Sequence, residues 1–158
     1  MSPVMNPATS TEKAIVDRWL EQTLSSYPAQ TYSFLSGEQD PFRNPVGHTL
    51  RKNLATLVHE LLGTMDRDHI AEALDALIRM RAVQNFKPPE AVRFLFMLRT
   101  VVQEIAGSVS EPLQSRIDEL ALTAFDLYVN CREQIFELQV NELRSRIRFA
   151  TFGEGETE

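Results

Sequence analysis

"EPLQSRIDELALTAFDLYVNCREQIFELQVNELRSRIRF", residues 111–149, contains no glycine, and its one proline, Pro112, stands in a first turn where a missing amide is harmless. Apolar residues recur every three or four positions and never alternate, the period of a helix and not of a strand. Unbroken, the stretch would extend about 58 Å at roughly 1.5 Å per residue. A compact chain of 158 residues has a diameter on the order of 40 Å, so this helix is predicted to overhang its own domain. It carries two apolar stripes. Leu113, Ile117, Ala121, Ala124, Tyr128, Cys131, Ile135 and Leu138 form one, assigned to the domain's own core. Leu122, Phe125, Val129, Phe136, Val140, Leu143 and Ile147 form the other, rotated by about 120°. One domain cannot easily cover both, and an exposed apolar row of that length is a liability in a lone chain. The second stripe is therefore the expected homodimer interface, covered isologously by a two-fold copy. The competing expectation is a break near Asn130 that folds the second half back.

The same grammar runs upstream. "TSTEKAIVDRWLEQTLSSY" (9–27) reads as a first helix, with Thr9 and Glu12 at capping-box spacing and Ile15, Val16, Trp19, Leu20 and Thr23 inward. Pro28 suits the first turn of a short second helix. Asn44-Pro45 predicts a third helix start, with Asn as cap and Pro where no amide is required. Leu50, Leu54, Leu57, Val58 and Leu61 follow on one face and Gly63 ends it. Asp66 caps a fourth helix that turns Ile70, Ala73, Leu74, Leu77 and Ile78 inward. A fifth runs from Pro88 or Pro89 to Ala106 and, apolar around more than half its circumference, is expected to be the most buried. Ser108 with Glu111 offers a capping box for the last helix. The fold class is all-α: a single-domain bundle of about six helices with a long C-terminal one, for which a globin-like form without haem is one arrangement. Residues 1–9 are expected to be a flexible N-terminus, 10–149 the helical domain and 150–158 a disordered acidic tail.

Composition narrows the function classes. With 43% hydrophobic residues and 24% charged, the chain can build a core. A net charge of −6 disfavours the phosphate backbone of nucleic acid, even with Arg144, Arg146 and Arg148 close together. No stretch approaches the roughly 20 apolar residues of a membrane span, and the N-terminus lacks a secretion signal. One cysteine makes neither an internal disulfide nor a multi-cysteine metal site, so a cytoplasmic location is expected.

Two stretches carry a family likeness. "YPAQTYSFLSGEQDPFRNPVGHTL" (27–50) and "LIRMRAVQNFKPPEAVRFLFMLRTVV" (77–102) resemble the N-terminal, RsbRD-type sensor domain of the RsbT co-antagonist family, and the likeness covers about residues 20 to 106. Its most specific elements are the Asp-Pro-Phe…Asn-Pro-Val-Gly loop and the "IRMRAVQNF" segment ahead of a proline-initiated helix. The chain departs at "KPPE", where members usually read Ser-Pro. Lys87 has no acceptor, so that helix start must lean on proline geometry. The resemblance implies a helical, dimeric, non-enzymatic domain of stressosome type. Some stand-alone members look like accessory proteins encoded among sulfur-metabolism electron-transfer genes of anaerobes.

Few residues suggest chemistry. His48 and His59 share an azimuth but lie about 16 Å apart along one helix, too far for a single metal. Both, and His69, are expected to face solvent, and "HELLG" lacks the second histidine of a zincin motif. No metal, haem or other cofactor is therefore expected, and no catalytic residue. Cys131 falls in the core register and reads as a small buried residue. Arg81 is more informative: it continues the inner stripe of the fourth helix, with Gln84 beside it. A guanidinium there needs partners. The loop Asp40, Phe42, Asn44 is expected to dock on the end of that helix, burying Phe42 and bonding Arg81 to Asp40 or to loop carbonyls. A partner or anion site at Arg81 is the functional alternative. The expected function is a non-catalytic regulatory or sensory domain acting on an unidentified protein partner. The alternatives are an accessory factor for a sulfur-metabolism electron-transfer complex, or a sensor binding a small ligand in an apolar pocket beneath the fifth helix, lined by Phe94, Phe96 or Leu98.

Overall fold

The computed structural model describes residues 7–153, and among them it contains helices and turns but no strand. The helices are α1 (Pro7–Leu24), α2 (Ala29–Gly37), α3 (Pro45–Leu62), α4 (Arg67–Val83), α5 (Pro88–Ala106) and α6 (Glu111–Gly153). α1 packs on α3 and α5, α4 on α3 and α6, and α5 on α1 and α6, while α2 touches only α1 and α3. The bundle closes around one core that includes Trp19, Leu54, Leu57, Leu74, Leu77, Phe94, Leu95 and Ile117. At its centre the Trp19 and Phe94 rings stack with centroids 5.9 Å apart, and the Trp19 indole donates to the Phe94 carbonyl at 2.6 Å. That bond satisfies the indole N–H where no water reaches it.

The helix starts follow the local chemistry. Asn44 caps α3, its side chain accepting from the Gly47 amide at 2.8 Å, with Pro45 at N1. Asp66 caps α4 by accepting from the Asp68 and His69 amides. At α5 the Lys87 ammonium has no lone pair to offer. The reverse half of a capping box serves instead, with the Glu90 carboxylate accepting from the Lys87 amide at 3.2 Å. Gly107 ends α5 in the left-handed region, φ 79°.

Several expectations are corrected. α1 begins at Pro7, so Thr9 and Glu12 lie inside the helix and form no N-cap; Glu12 instead meets His59 Nδ1 at 3.1 Å. Helix also replaces the assigned flexible residues at 7–9 and the assigned tail at 150–153, while 1–6 and 154–158 lie outside the described residues. The cap of α6 is Ser110, whose hydroxyl accepts from the Leu113 amide at 3.3 Å, and not Ser108. α5 is not the most buried helix: it leaves Phe96 half-exposed and buries fewer residues than α3.

α6 does not break at Asn130. It runs for 43 residues, a length of about 65 Å. Its buried residues are Leu113, Ile117, Leu120, Ala121, Ala124, Tyr128 and Cys131; beyond Cys131 none is buried. The inner stripe therefore stops short of expectation, since Leu138 is 69% exposed. The bundle ends before the helix does.

Candidate functional site

Three places gather the residues singled out in the sequence: the loop before α3, the junction of α4 with α5, and the outer face of α6. In the loop, the Asp40 side chain accepts from the Phe42 amide at 2.9 Å and its carbonyl from the Arg43 and Asn44 amides. This is an Asx-turn, in which a short carboxylate substitutes for a backbone partner. Asn44 is buried and donates to the carbonyls of Leu35 at 2.9 Å and Glu38 at 3.0 Å. The loop is thus clamped onto α2. No hydrogen bond among the described residues ties it to α4, and Phe42 is not buried: the residue is 96% exposed. The turn spends its hydrogen bonds on itself and on α2, which points residue 42 outward.

Arg81 is buried, at 1% exposure, as its azimuth predicts, but Asp40 is not its partner. α4 ends in a Schellman motif. Asn85 takes the left-handed conformation, φ 59°, the Asn85 amide donates to the Ala82 carbonyl and the Phe86 amide to the Arg81 carbonyl. That geometry returns the residue after Asn85 onto the last turn, where the Phe86 ring lies 4.7 Å from the guanidinium carbon. Phe94 of α5 lies 4.8 Å from the same carbon. Nη1 donates to the Glu90 carbonyl at 3.2 Å. Burial pulls the guanidinium pKa down, with the Tyr27 phenol acting against the shift. Gln84 lies on the surface and accepts from the Tyr27 hydroxyl at 2.9 Å. Arg81 and Gln84 therefore bear on the α1–α4–α5 junction, away from the Asp40–Asn44 loop. The signal that could have found the rings was "RAVQNF": an asparagine placed to end the helix, with an aromatic next.

Two features escaped the sequence reading. Glu60 is buried and accepts from the Asp66 amide at 2.9 Å, the Thr64 hydroxyl and His69 Nδ1 at 2.9 Å. The His69 bond, then the Asp66 amide, hold its pKa below the usual carboxylate value. The same bond, with the Asp66 charge behind it, raises His69. A carboxylate and a histidine nine positions apart become neighbours only because the α3–α4 turn reverses the chain. The second feature is Thr23, whose buried hydroxyl has no partner.

Cys131 is buried and free, and burial pushes its thiol pKa up, which keeps it protonated and poorly nucleophilic at neutral pH. His48 and His59 face solvent, and Arg79 pairs with Asp75. Among the described residues no three His, Cys, Asp or Glu side chains are placed to hold a metal ion. No helix among them is long and apolar enough to cross a membrane. Of the three aromatic or aliphatic residues expected to line a pocket beneath α5, Phe94 does line a cavity. Phe96 turns outward, and the crevice beside Leu98 is too narrow for a water molecule.

On the outer face of α6, Leu122, Phe125, Phe136, Leu143 and Ile147 are at least half exposed, and Val129 and Val140 are half-buried. Phe149 and Phe152 prolong the exposed set. Where α6 leaves the bundle, Tyr128 donates to the Phe86 carbonyl, and Arg132 donates to the Ala82 carbonyl and the Asn85 side chain. These bonds fix the angle at which the helix departs.

The family model of the RsbT co-antagonist protein rsbRD N-terminal domain matches residues 13–143, from α1 through most of α6. The chain belongs to that family. The match takes in both the clamped loop and the Arg81 junction. An uncharacterized protein of Archaeoglobus fulgidus is 27% identical over 135 residues, covering 82% of this chain and 83% of that protein. No solved structure matches the chain. Over its described residues this rsbRD N-terminal domain is a bundle of six helices, the last of which projects beyond it.

Proposed function

We propose that this rsbRD N-terminal domain is a non-catalytic regulatory domain of stressosome-related signalling, and that it pairs with a second copy of itself along α6. One observation carries the reading: past Cys131 the helix continues to Gly153 with no buried residue, yet it bears an apolar row through Phe136, Val140, Leu143 and Ile147. A solvated helix gains nothing from that row, and a contiguous apolar surface on a projecting element is the usual mark of a protein contact. A two-fold copy fits because the row is a single stripe that can face its own image. The stripe also begins on the bundle, at Leu122 and Phe125, so pairing would cover the docked and the projecting parts of α6 together. A signal altering the bundle would reach the pair through the Tyr128 and Arg132 bonds at the end of α4. Light scattering at micromolar concentration is expected to give twice the chain mass. Val140→Glu with Leu143→Glu should reduce it to the chain mass while leaving the circular dichroism of the bundle largely intact. A monomeric mass for the unaltered chain would sink the pairing.

A further inference from the structure

Arg81 is held on its faces by two rings, and one edge of its guanidinium is without a partner. The rings of Phe86 and Phe94 lie 4.7 and 4.8 Å from its guanidinium carbon, and Nη1 has the Glu90 carbonyl. Nε and Nη2 are buried and bond to nothing. These two N–H groups are the side-on fork of a guanidinium, two parallel donors spaced for the two oxygens of a carboxylate or for two oxygens of a tetrahedral oxyanion. Thr23 Oγ1, on α1, is likewise buried and unpartnered. Both side chains, each 1% exposed, line the same cavity of about 210 Å³, well above the roughly 30 Å³ that one water occupies in the liquid.

We infer that this cavity, between the end of α1, the α4–α5 turn and the first turns of α5, binds a small oxyanion. The fork of Arg81 would take two of its oxygens and the Thr23 hydroxyl would donate to it. Charge argues the same way. Among the described residues no carboxylate comes within ion-pair distance of Arg81, so they supply no counter-ion to a buried cation, an arrangement that is costly unless something compensates it. Water could satisfy the donors but not the charge. The exposed side chains at the cavity wall include Arg93 and Glu90. The Glu90 carboxylate accepts from the Lys87 amide, and its charge offsets that of Arg93. What remains is one net positive charge, matched by a monoanion. The Met97 side chain and the two rings give the wall an apolar part that would suit the hydrocarbon of a short organic acid. This reading does not depend on pairing through α6.

The test is thermal unfolding of the full chain in acetate, benzoate or sulfate, each at the ionic strength of a chloride control. A saturable rise in the midpoint over chloride is expected for at least one of them. A response to the carboxylates alone identifies an organic acid site, and one that includes sulfate identifies a general oxyanion site. Thr23→Val keeps the volume and removes the hydroxyl. It should leave the midpoint in chloride unchanged or slightly raised, because a buried group without a partner is lost, while weakening the apparent affinity about tenfold. Arg81→Met should abolish the response. Should that variant fail to fold, Thr23→Val and Arg93→Gln carry the test, each predicted to weaken binding. Midpoints in all three salts equal to that in chloride would overturn the site, leaving Arg81 held by rings and water. So would a rise that Thr23→Val and Arg93→Gln leave unaltered.

Discussion

At Asn44 one amide side chain accepts from Gly47 and donates to the carbonyls of Leu35 and Glu38, so a single residue caps α3 and ties α2 to it. Gly47 is part of the same device. A Cβ there would come within 2.3 Å of the Asn44 amide nitrogen, so the close approach requires glycine even though its backbone angles do not. Asn44→Ala removes the cap and leaves buried carbonyls without donors, which is expected to cost about 2–3 kcal/mol. Gly47→Ala expels the same side chain and should cost a comparable amount. Because both break one device, the double variant is predicted to cost little more than either alone. Urea unfolding of the four proteins checks this, and losses that simply add would show the two residues to be independent. Phe42→Ser, at a residue 96% exposed, should change stability by no more than about 0.5 kcal/mol. Nothing in the fold uses that ring, which leaves it free for a partner.

Between elements, the α3–α4 junction is held by charges that titrate in opposite directions. Glu60 lies below its ordinary value of 4.5 because of the His69 bond and the Asp66 amide. Asp66, lowered by the His69 amide it caps, behaves alike. These carboxylates contribute stability above their unfolded values and lose it as pH falls through the lowered ones. His69 lies above its ordinary 6.5, so its contribution is full below that pH and is lost as pH rises through the raised value. The junction is therefore predicted to be strongest between about 4.5 and 6.5. Following the His69 ring by NMR should show its pKa above 6.5 and returning toward it in Glu60→Gln. His69→Ala should abolish the loss of stability on the alkaline side and reduce, without removing, the loss on the acid side, where the backbone amides of Asp66, Asp68 and residue 69 still favour the two carboxylates. An alkaline loss that persists in His69→Ala would place its origin elsewhere.

For the whole molecule, the decisive fact is that α6 is longer than the bundle it closes. The buried residues of α6 end at Cys131, and Arg132 and Ile135 make the last contacts to the bundle recorded beyond it. Ending the chain after Ile135 should therefore leave the bundle folded, with a urea midpoint close to that of the full chain measured below its pairing concentration. The shortened protein should run as a monomer by light scattering. A large fall in the midpoint would mean that the projecting half of α6 supports its own bundle and not a neighbour. The two proposed sites lie close together along the chain's architecture. The Phe86 ring covers Arg81, and the Phe86 carbonyl accepts from Tyr128 of α6. An anion that ordered the α4–α5 turn would thereby bear on the base of the pairing helix.

The positions of the helices were legible in residue order because caps and periods are local. Asn44-Pro45, Asp66, the prolines before α5 and Gly107 act over three or four residues, and the 3.6-residue rows at Leu50–Leu61 and Ile70–Ile78 need nothing distant to be recognised. The inward aim of Arg81 was legible for the same reason. Its partners were not, since the Glu90 carbonyl and the Phe94 ring come from another helix and Phe86 arrives only through the left-handed turn at Asn85. Phe42 faces outward because Asn44 clamps its loop onto α2, a choice between two neighbouring helices that residue order does not record. Leu138 continues a perfect inner row and still lies in solvent. A row states which face of a helix is apolar. Whether that face is covered depends on where the other helices end, and only the packed bundle decides that.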